Sequence, residues 1–406
     1  MKMSIIMILM LIIGVVIGYI ATASFYSYAL TPRTETMILY HEKTYTSTMT
    51  TVSIYTNTLY VTQIYNYTSY VTRVFNNTQT FIVTTVPKIG AGDQMVIAWM
   101  LSTCNRSYKD LILRYRGVID VVSPDWYYLS EDLGVGAYTS RCAEDQSFIN
   151  DLRSNNISLM PMVVSANADR VRSLITDLSK IYRFANILID KAKRFGYIGY
   201  NIDFEVSLPD NSGDFAYFID VLSKLMHENN LILTVDVPGK RTEWPSSYTM
   251  TYDYEKLGKT SVDAIILMAY DFYEWSGVPK PIAPIWWVKD VVDYALKYIP
   301  KEKLVLGIPN YGSIWSSAGS RVKWLLYQDW KDLSSKYGYT TDESVMERKI
   351  VLPDGSVAYY VDGEMTFYRA LIAVDKKIKG VAVWRLDEGD PSTWRYISIA
   401  LGKTCS

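Results

Sequence analysis

Residues 199–206 read GYNIDFEV, and polar and apolar side chains alternate along this short stretch. Side chains on a β-strand point alternately to opposite faces, so Asn201, Asp203 and Glu205 share one face. The other face is apolar and can pack against a layer of helices. Because an unpaired carboxyl in an apolar interior costs several kcal/mol, the polar face needs an exposed edge or a functional cavity. We interpret the stretch as a barrel strand that ends at an active site, with an exposed edge strand as the alternative.

Seven further β-branched or apolar runs flank this strand after Gly90. They are MVIAWM, VIDVVS, ISLMPMVV, LILTVDV, AIILMAY, LVLGIPN and GVAVWRL. Helix-like segments separate several of them, for example residues 170–196, which close at Gly196. Eight strands alternating with helices predict an α/β fold, a (β/α)8 TIM barrel, over residues 89–406. A doubly wound open sheet is the alternative.

The interval before the last strand, residues 312–379, is too long for a single connection. It includes the run IVLPDGSVAYYV, in which Asp354 and Gly355 form a turn signal between two alternating segments. We therefore predict a small α+β insertion that contains a β-hairpin.

The N-terminus has an apolar run from about Ile5 to Ala21, and about 20 such residues can cross a bilayer. Lys2 is the only charge before Arg33, which predicts that the N-terminus stays inside and the rest of the chain is exported. We predict a signal anchor or transmembrane helix over residues 1–30, with a single span of the cell membrane. A cleaved signal peptide, which would give a secreted protein, is the alternative.

Residues 31–88 are rich in Thr, Tyr and Val, which favour extended chain. Strands, a coiled-coil-like contact and a glycosylated stalk are all compatible with this composition. We predict an extracellular stalk that holds the barrel off the membrane and gives a possible route to oligomerisation. Glycosylation sequons fit exposure outside the cell; they occur at Asn66, Asn76, Asn105 and Asn156.

The charge balance and the cysteine and histidine content argue against several kinds of function. The 41 basic and 42 acidic residues give a net charge of −1, which gives no reason to expect a nucleic-acid partner. One disulfide is plausible, most simply Cys104 with Cys142, leaving Cys405 unpaired. With His41 and His227 as the only histidines, we predict no metal site, no cofactor and no histidine-dependent triad.

Two carboxyls at alternate strand positions lie about 7 Å apart at the backbone, and like charges at that distance raise one pKa. Glu205, nearer the open end of the strand, is the candidate general acid. Asp203, one step deeper, is the candidate for the group that stays charged or orients the substrate.

These residues resemble the catalytic strand of glycoside hydrolase family 18, whose motif is Asp-Gly-x-Asp-x-Asp-x-Glu. Gly199, Asp203 and Glu205 match the motif, while Ile198 and Asn201 stand where two aspartates belong. The asparagine version is similar to the subgroup that includes spore-cortex peptidoglycan glucosaminidases. The sequence gives no physical reason for an isoleucine at position 198.

Other motifs extend the resemblance over residues 95–401. MAYD matches the family's Met-x-Tyr-Asp motif at Met268, Tyr270 and Asp271, and GVAVWRLDEGDP matches the last strand with its binding tryptophan, Trp384. VVSPDWYYLSEDLG and LTVDVPGK resemble the ends of the second and fifth strands. The resemblance makes Met268, Asp271 and Trp384 candidate substrate-binding residues.

The family chemistry needs no enzyme nucleophile, because the substrate's own N-acetyl group attacks. The resemblance implies that Glu205 protonates the glycosidic oxygen and then activates water. Asp203 would hold the acetamide, Tyr270 would hydrogen-bond it, and Asn201 could orient Asp203 by donating to it.

Several candidates keep a structural alternative. Asp271 could orient Tyr270, contact sugar hydroxyls or cap a helix. Trp126, Trp275 and Tyr311 fall at expected strand or loop ends and are either sugar-binding residues or core residues.

Together these features predict a membrane-anchored, retaining glycosidase acting on β-linked, chitin-like or peptidoglycan-like glycans of N-acetylated amino sugars. Two alternatives stay open. One is a catalytically silent, chitinase-like protein that binds glycans, and the other is a cell-surface scaffold.

Overall fold

The computed structural model describes residues 94–404 apart from 243–245, 273 and 275, together with five strands nearer the N-terminus. The chain divides into two compact units, Met1–Thr85 and Val86–Ser406. Within the described residues, no helix is long and apolar enough to cross a membrane. The expected membrane segment at residues 1–30 lies outside that part of the chain and stays a prediction.

The first unit contains an antiparallel sheet in which consecutive strands are neighbours. Its strands are β1 (Thr36–Lys43), β2 (Thr46–Tyr55), β3 (Thr58–Tyr65), β4 (Ser69–Asn76) and β5 (Gln79–Ile82). The threonine-rich and valine-rich sequence therefore forms strands, in line with its β-branched composition. The roles of spacer, glycosylated segment and oligomerisation site stay predictions.

Eight parallel strands of the second unit close into a barrel. They are β6 (Met95–Met100), β7 (Val121–Leu129), β10 (Met162–Ser165), β11 (Gly199–Phe204), β12 (Ile232–Pro238), β13 (Ala264–Met268), β14 (Leu304–Pro309) and β20 (Gly380–Trp384). Each strand pairs with the next in this order, and β20 pairs with β6 to complete the ring. The TIM-barrel prediction is confirmed, and each of the eight runs identified in the sequence forms one of its strands.

Helices connect these strands around the outside. They are α1 (Arg106–Arg114), α2 (Gln146–Ser154), α3 (Ala168–Ile175), α4 (Leu178–Phe195), α5 (Ser212–His227), α6 (Ser247–Met250), α7 (Tyr254–Gly258), α8 (Ile285–Ala295), α9 (Tyr327–Tyr337), α10 (Gly363–Lys376) and α11 (Thr393–Leu401). Helix α4 shows how the sequence sets their bounds. Asp177 accepts hydrogen bonds from the first free backbone N–H groups, and Gly196 ends the helix with φ of 71°.

Apolar side chains fill the interior of the barrel below its open end. Ile97, Met162, Ile266 and Val305 come from four different strands and are all fully or almost fully buried. Burying each such side chain stabilises the fold by about 1.5–3 kcal/mol. Ile198 packs against this cluster, which gives an apolar role to the residue that replaces the family aspartate.

Gly199 is required where β11 passes close to β12. Its φ is 156°, and a Cβ at this position would lie 1.9 Å from the carbonyl oxygen of Ile232. Any side chain would force the two strands apart. The glycine therefore sets the position of the strand that includes Asp203.

The insertion between β14 and β20 is a five-stranded antiparallel sheet with one helix, α9. Its strands are β15 (Gly312–Trp315), β16 (Arg321–Leu325), β17 (Thr340–Asp342), β18 (Glu347–Val351) and β19 (Val357–Tyr360). The hairpin expected around Asp354 and Gly355 is formed by β18 and β19. Helix α10, also inside the interval 312–379, packs on β14 as a barrel helix. Two short strands, β8 (Val135–Ala137) and β9 (Ser158–Leu159), pair with β7.

A buried ion pair joins the insertion to the barrel. Arg369 on α10 lies 3.2 Å from the carboxylate of Glu347 on β18, and both side chains are almost completely buried. Glu347 also accepts hydrogen bonds from the backbone N–H groups of Ile282 and Ala283. The pair therefore links three segments that are distant in sequence.

Replacing one partner of this pair should destabilise the protein strongly. We expect Arg369→Leu to lower the free energy of unfolding by about 3–5 kcal/mol, because it leaves a buried carboxylate without its cation. Chemical denaturation measures the change. The control is Lys259→Ala in an exposed pair with Glu255, where we expect a loss below about 1 kcal/mol. Equal losses in the two variants would contradict the role given to the pair.

Candidate active site

A cavity of about 840 Å³ opens at the carboxyl ends of the barrel strands. Titratable side chains line it at several depths, namely Asp203, Glu205, Asp236, Asp271, Lys323, Asp329, Arg385 and Asp387. Aromatic rings form much of the remaining wall, namely Trp99, Tyr248, Tyr270, Tyr311, Trp324 and Trp384. A cavity with apolar walls and a few convergent polar groups at this end of a barrel is typical of an active site.

The polar face of β11 descends into the barrel as the alternation predicts. Glu205 is exposed, Asp203 is half-buried and Asn201 is fully buried. Glu205 follows the last residue of the strand, and its backbone N–H donates to the carbonyl oxygen of Ser165 at 2.8 Å. The two carboxyls expected to perform catalysis therefore both face the cavity.

Asn201 makes a different contact from the one expected. Its amide group donates to Asp236 Oδ1 at 2.9 Å, and its carbonyl Oδ1 accepts from Trp99 Nε1 at 2.7 Å. The expected hydrogen bond from Asn201 to Asp203 is therefore replaced by a bridge from β6 to β12. Asp236 is a site residue that the sequence argument missed, although a lone aspartate in the apolar run LTVDV was an available signal.

The pKa values of Asp203 and Asp236 both lie well above the ordinary value of an aspartate. Burial raises the pKa of Asp203 well above its ordinary value, and the charges of Asp236 and Glu205 raise it further. Burial likewise raises the pKa of Asp236, against the opposing effect of the Asn201 hydrogen bond. The sequence predicted that Asp203 stays charged or orients the substrate, whereas in the structure burial raises its pKa. Asp203 Oδ1 is enclosed and has no hydrogen-bond partner among the described residues.

Two tyrosines from the loop after β12 hold Glu205 in place. Tyr248 on α6 donates its hydroxyl proton to Glu205 Oε2 at 3.0 Å. Tyr252 donates to the carbonyl oxygen of Phe204 and accepts from the backbone N–H of Val206 at 3.0 Å. The side chain and both flanking peptide groups of Glu205 are therefore positioned by one loop. No local sequence pattern identified these tyrosines.

Tyr270, Met268 and Tyr311 line the wall opposite this loop. Asp271, with φ of 57°, accepts a hydrogen bond of 2.5 Å from the Tyr311 hydroxyl. Asp271 therefore orients Tyr311, whereas the sequence argument considered Tyr270 as its partner. The Tyr311 ring in turn contacts the Tyr270 ring, with centroids 6.3 Å apart.

The structure places one candidate tryptophan in the cavity and another in the core. Trp384 lines the cavity and meets Trp99 edge to face, with ring centroids 6.2 Å apart. Trp126 does not line the cavity. It is fully buried, packs against Phe148 and donates to Thr103 Oγ1, so the structure places it in the core, which is the alternative that the sequence left open. Trp275 lies outside the described residues.

The expected disulfide joins Cys104 and Cys142, whose Cα atoms are 5.2 Å apart. Beside it, Arg141 forms an ion pair with Asp125. Burial raises the pKa of Asp125 to about 6, although the Arg141 charge opposes this shift. Cys405 lies outside the described residues.

Comparison with known proteins agrees with this geometry. The model of a family described as glycosyl hydrolases family 18 matches residues 120–389. The uncharacterized glycosylase YvbX of Bacillus subtilis is 28% identical over 229 residues, which cover 53% of this chain and 64% of that protein. A cortical fragment-lytic enzyme of Bacillus subtilis is 24% identical over 261 residues, which cover 60% of each chain. The chain thus spans about three-fifths of the length of these relatives.

A solved structure also has the same fold. The Bacillus cereus spore cortex-lytic enzyme SleL superposes with a TM-score of 0.67 and 18% identity, covering 79% of this chain and 77% of that chain. The resemblance to the subgroup with spore-cortex enzymes, inferred from Asn201, is therefore confirmed.

The raised pKa of Asp203 should affect stability. The folded protein binds more protons than the unfolded chain above the unfolded value of 3.8. The free energy of unfolding should therefore fall as pH rises from that value through the folded pKa, by about 1.4 kcal/mol per unit of pKa shift. Urea denaturation at a series of pH values should show a shallower decline for Asp203→Asn than for the parent.

The matched control for this experiment is Asp169→Asn. Asp169 is exposed and pairs with Arg172 on the surface, so its removal should leave the pH dependence of the parent. A decline in Asp203→Asn as steep as that of the parent would contradict a proton held on Asp203.

Proposed function

Because the chain belongs to family 18 of the glycosyl hydrolases, we propose that it hydrolyses β-linked glycans of N-acetylated amino sugars with retention of configuration. The supporting observation is the pairing of an exposed, oriented Glu205 with a half-buried Asp203 whose Oδ1 has no hydrogen-bond partner among the described residues. In this mechanism the acetamide oxygen of the substrate attacks the anomeric carbon, so the enzyme supplies no nucleophile.

Glu205 is the proposed general acid and base. Its carboxyl protonates the leaving glycosidic oxygen and afterwards removes a proton from the water that opens the cyclic intermediate. The hydrogen bond from Tyr248 fixes Oε2, which leaves Oε1 to face the scissile bond. Tyr248 therefore acts as a positioning residue for the proton transfer.

Asp203 is the proposed partner of the acetamide. An N–H group that donates to Oδ1, and positive charge that develops on the acetamide, both favour the ionised carboxylate. Asp203 then loses its proton to solvent as the substrate binds, while Asp236, which accepts a hydrogen bond from Asn201, stays protonated. Tyr270 lines the same part of the cavity and can donate its hydroxyl proton to the intermediate.

Trp384 and Trp99 give this part of the cavity an apolar floor. Aromatic faces suit the apolar C–H faces of a sugar ring, and exclusion of water strengthens the electrostatic contacts around the intermediate. The chitin-like or peptidoglycan-like character of the substrate is part of the proposal.

We also propose that residues 1–30 anchor the protein in a membrane with the barrel outside. The apolar run from Ile5 to Ala21 supports this topology, and cleavage after the run would instead release the protein. Fractionation of cells that express the full chain should place it with membranes and leave it accessible to external protease. Recovery in the cytosol, protected from protease, would contradict the proposal.

The central test of the activity is Glu205→Gln in the full chain. We expect its kcat on N-acetylglucosamine oligomers or peptidoglycan glycans to fall by about 10²–10⁴-fold, because the acid and base are removed. Binding of the same glycans should persist, since the amide keeps the shape of the side chain. Glu131→Gln, on an exposed pair with Arg170, is the matched control and should keep the parent rate.

Two results would overturn this assignment. Equal rates for Glu205→Gln and the parent would exclude Glu205 as the acid and base. Binding by the parent without turnover, across a broad glycan panel, would support a catalytically silent glycan-binding protein instead.

A further inference from the structure

The insertion supplies an exposed strand to the rim of the cavity. Strand β16 reads RVKWL over Arg321–Leu325, and its first four residues are exposed. It is an edge strand of the insertion sheet, so β15 is its sheet partner on one side only. Lys323 and Trp324 line the cavity directly. We call Arg321–Leu325 the rim strand.

Most charges around the cavity are compensated by a neighbour. Lys323 lies 2.6 Å from Asp329, and Arg385 pairs with Glu388 and lies 3.6 Å from Asp387. Arg321 makes no salt bridge with any carboxylate of the described part of the chain. It is therefore a rim cation whose hydrogen-bond donors can serve a ligand.

Aromatic rings hold this cation in place. The Arg321 guanidinium lies 3.6 Å from the centroid of the Trp324 ring and 5.0 Å from that of Trp315. The Trp324 ring is 41% exposed and contacts Tyr311, which lies deeper in the cavity. A stacked guanidinium keeps its in-plane N–H groups free for a planar anion, and a carboxylate accepts two of them at once.

An exposed indole beside a free guanidinium matches a sugar ring that bears a carboxylate. We propose that Arg321 and Trp324 select glycans in which a sugar adjoining the cleaved N-acetylated residue has a carboxylate substituent. The indole stacks on the sugar ring, and the guanidinium binds the carboxylate through two parallel hydrogen bonds. This inference rests on the proposed glycosidase activity and adds the charge of the preferred substrate.

Burial limits the negative charge that the two deepest carboxyls of the cavity contribute. Asp203 and Asp236 both have a raised pKa, and the acids nearer the rim are paired with Lys323 and Arg385. An anionic substituent bound at the rim would therefore meet a local positive charge. Burial raises the pKa of Asp271, although the Tyr311 hydrogen bond and the Arg321 charge oppose this shift.

The test compares glycans that differ only in the carboxylate. One pair is an alternating N-acetylglucosamine and N-acetylmuramic acid glycan and its derivative with every lactyl carboxylate converted to carboxamide. A second pair alternates N-acetylglucosamine with glucuronic acid, again as free acid and amide. The two pairs distinguish a lactyl ether from a uronate as the source of the charge. The measured quantity is the ratio of kcat/KM for acid over amide, with the full chain.

For the parent, we expect a ratio of about 10 or more with at least one pair, which is the typical effect of a charged hydrogen bond. Arg321→Gln should bring that ratio to about 1, and Arg321→Lys should restore only part of it, because lysine lacks the planar fork. Trp324→Ala should weaken both members of a pair. Lys331→Gln, an exposed cation on α9 of the same insertion, should keep the parent ratio.

A parent ratio of about 1 with both pairs, or an unchanged ratio in Arg321→Gln, would overturn the inference. If neither these glycans nor N-acetylglucosamine oligomers are hydrolysed, the proposed activity fails while this inference is still tested. In that case calorimetry measures the affinities of the parent and Arg321→Gln for each acid and amide pair. The inference then requires an acid-over-amide affinity ratio of about 10 or more for the parent and about 1 for Arg321→Gln.

Discussion

The site depends on the cost of burying polar side chains inside the barrel. Asn201 is fully buried next to Asp236, which lines the cavity, and it donates a hydrogen bond to Asp236 and accepts one from Trp99. Asp203, one step higher, has an oxygen with no such compensation. Removing these groups from water favours neutral carboxyls, and the proximity of three acids strengthens the effect. Positive charge on a substrate would therefore lower the pKa of Asp203.

Residues elsewhere in the molecule fix the positions of the cavity carboxyls. Gly199 permits the close approach of β11 and β12, and Tyr248 and Tyr252 hold Glu205 from the neighbouring loop. The Glu347–Arg369 pair ties the insertion sheet to the barrel. Since β16 belongs to that sheet, the same pair positions the rim cation relative to the catalytic strand.

Local patterns predicted the parts of the structure that depend on local chemistry. The eight apolar runs gave the barrel strands, the alternation in GYNIDFEV placed Asp203 and Glu205 in the cavity, and the Asp354–Gly355 turn gave the hairpin. The partners of Asn201 and Glu205 come from residues distant in sequence, so no spacing rule could identify them. The position of Trp126 was undecided for a related reason, because strand position alone does not distinguish a ring in the cavity from a ring in the core.

The protonation of Asp203 tests this account most directly. Carboxyl carbon NMR of the full chain can follow Asp203 in the empty cavity and with a bound thiazoline analogue of the cyclic intermediate, using Asp203→Asn to assign the signal. We expect Asp203 to titrate well above 3.8 in the empty cavity and to be ionised at the same pH once the cationic analogue is bound. Titration of the empty protein near 3.8, with no change on binding, would contradict the account.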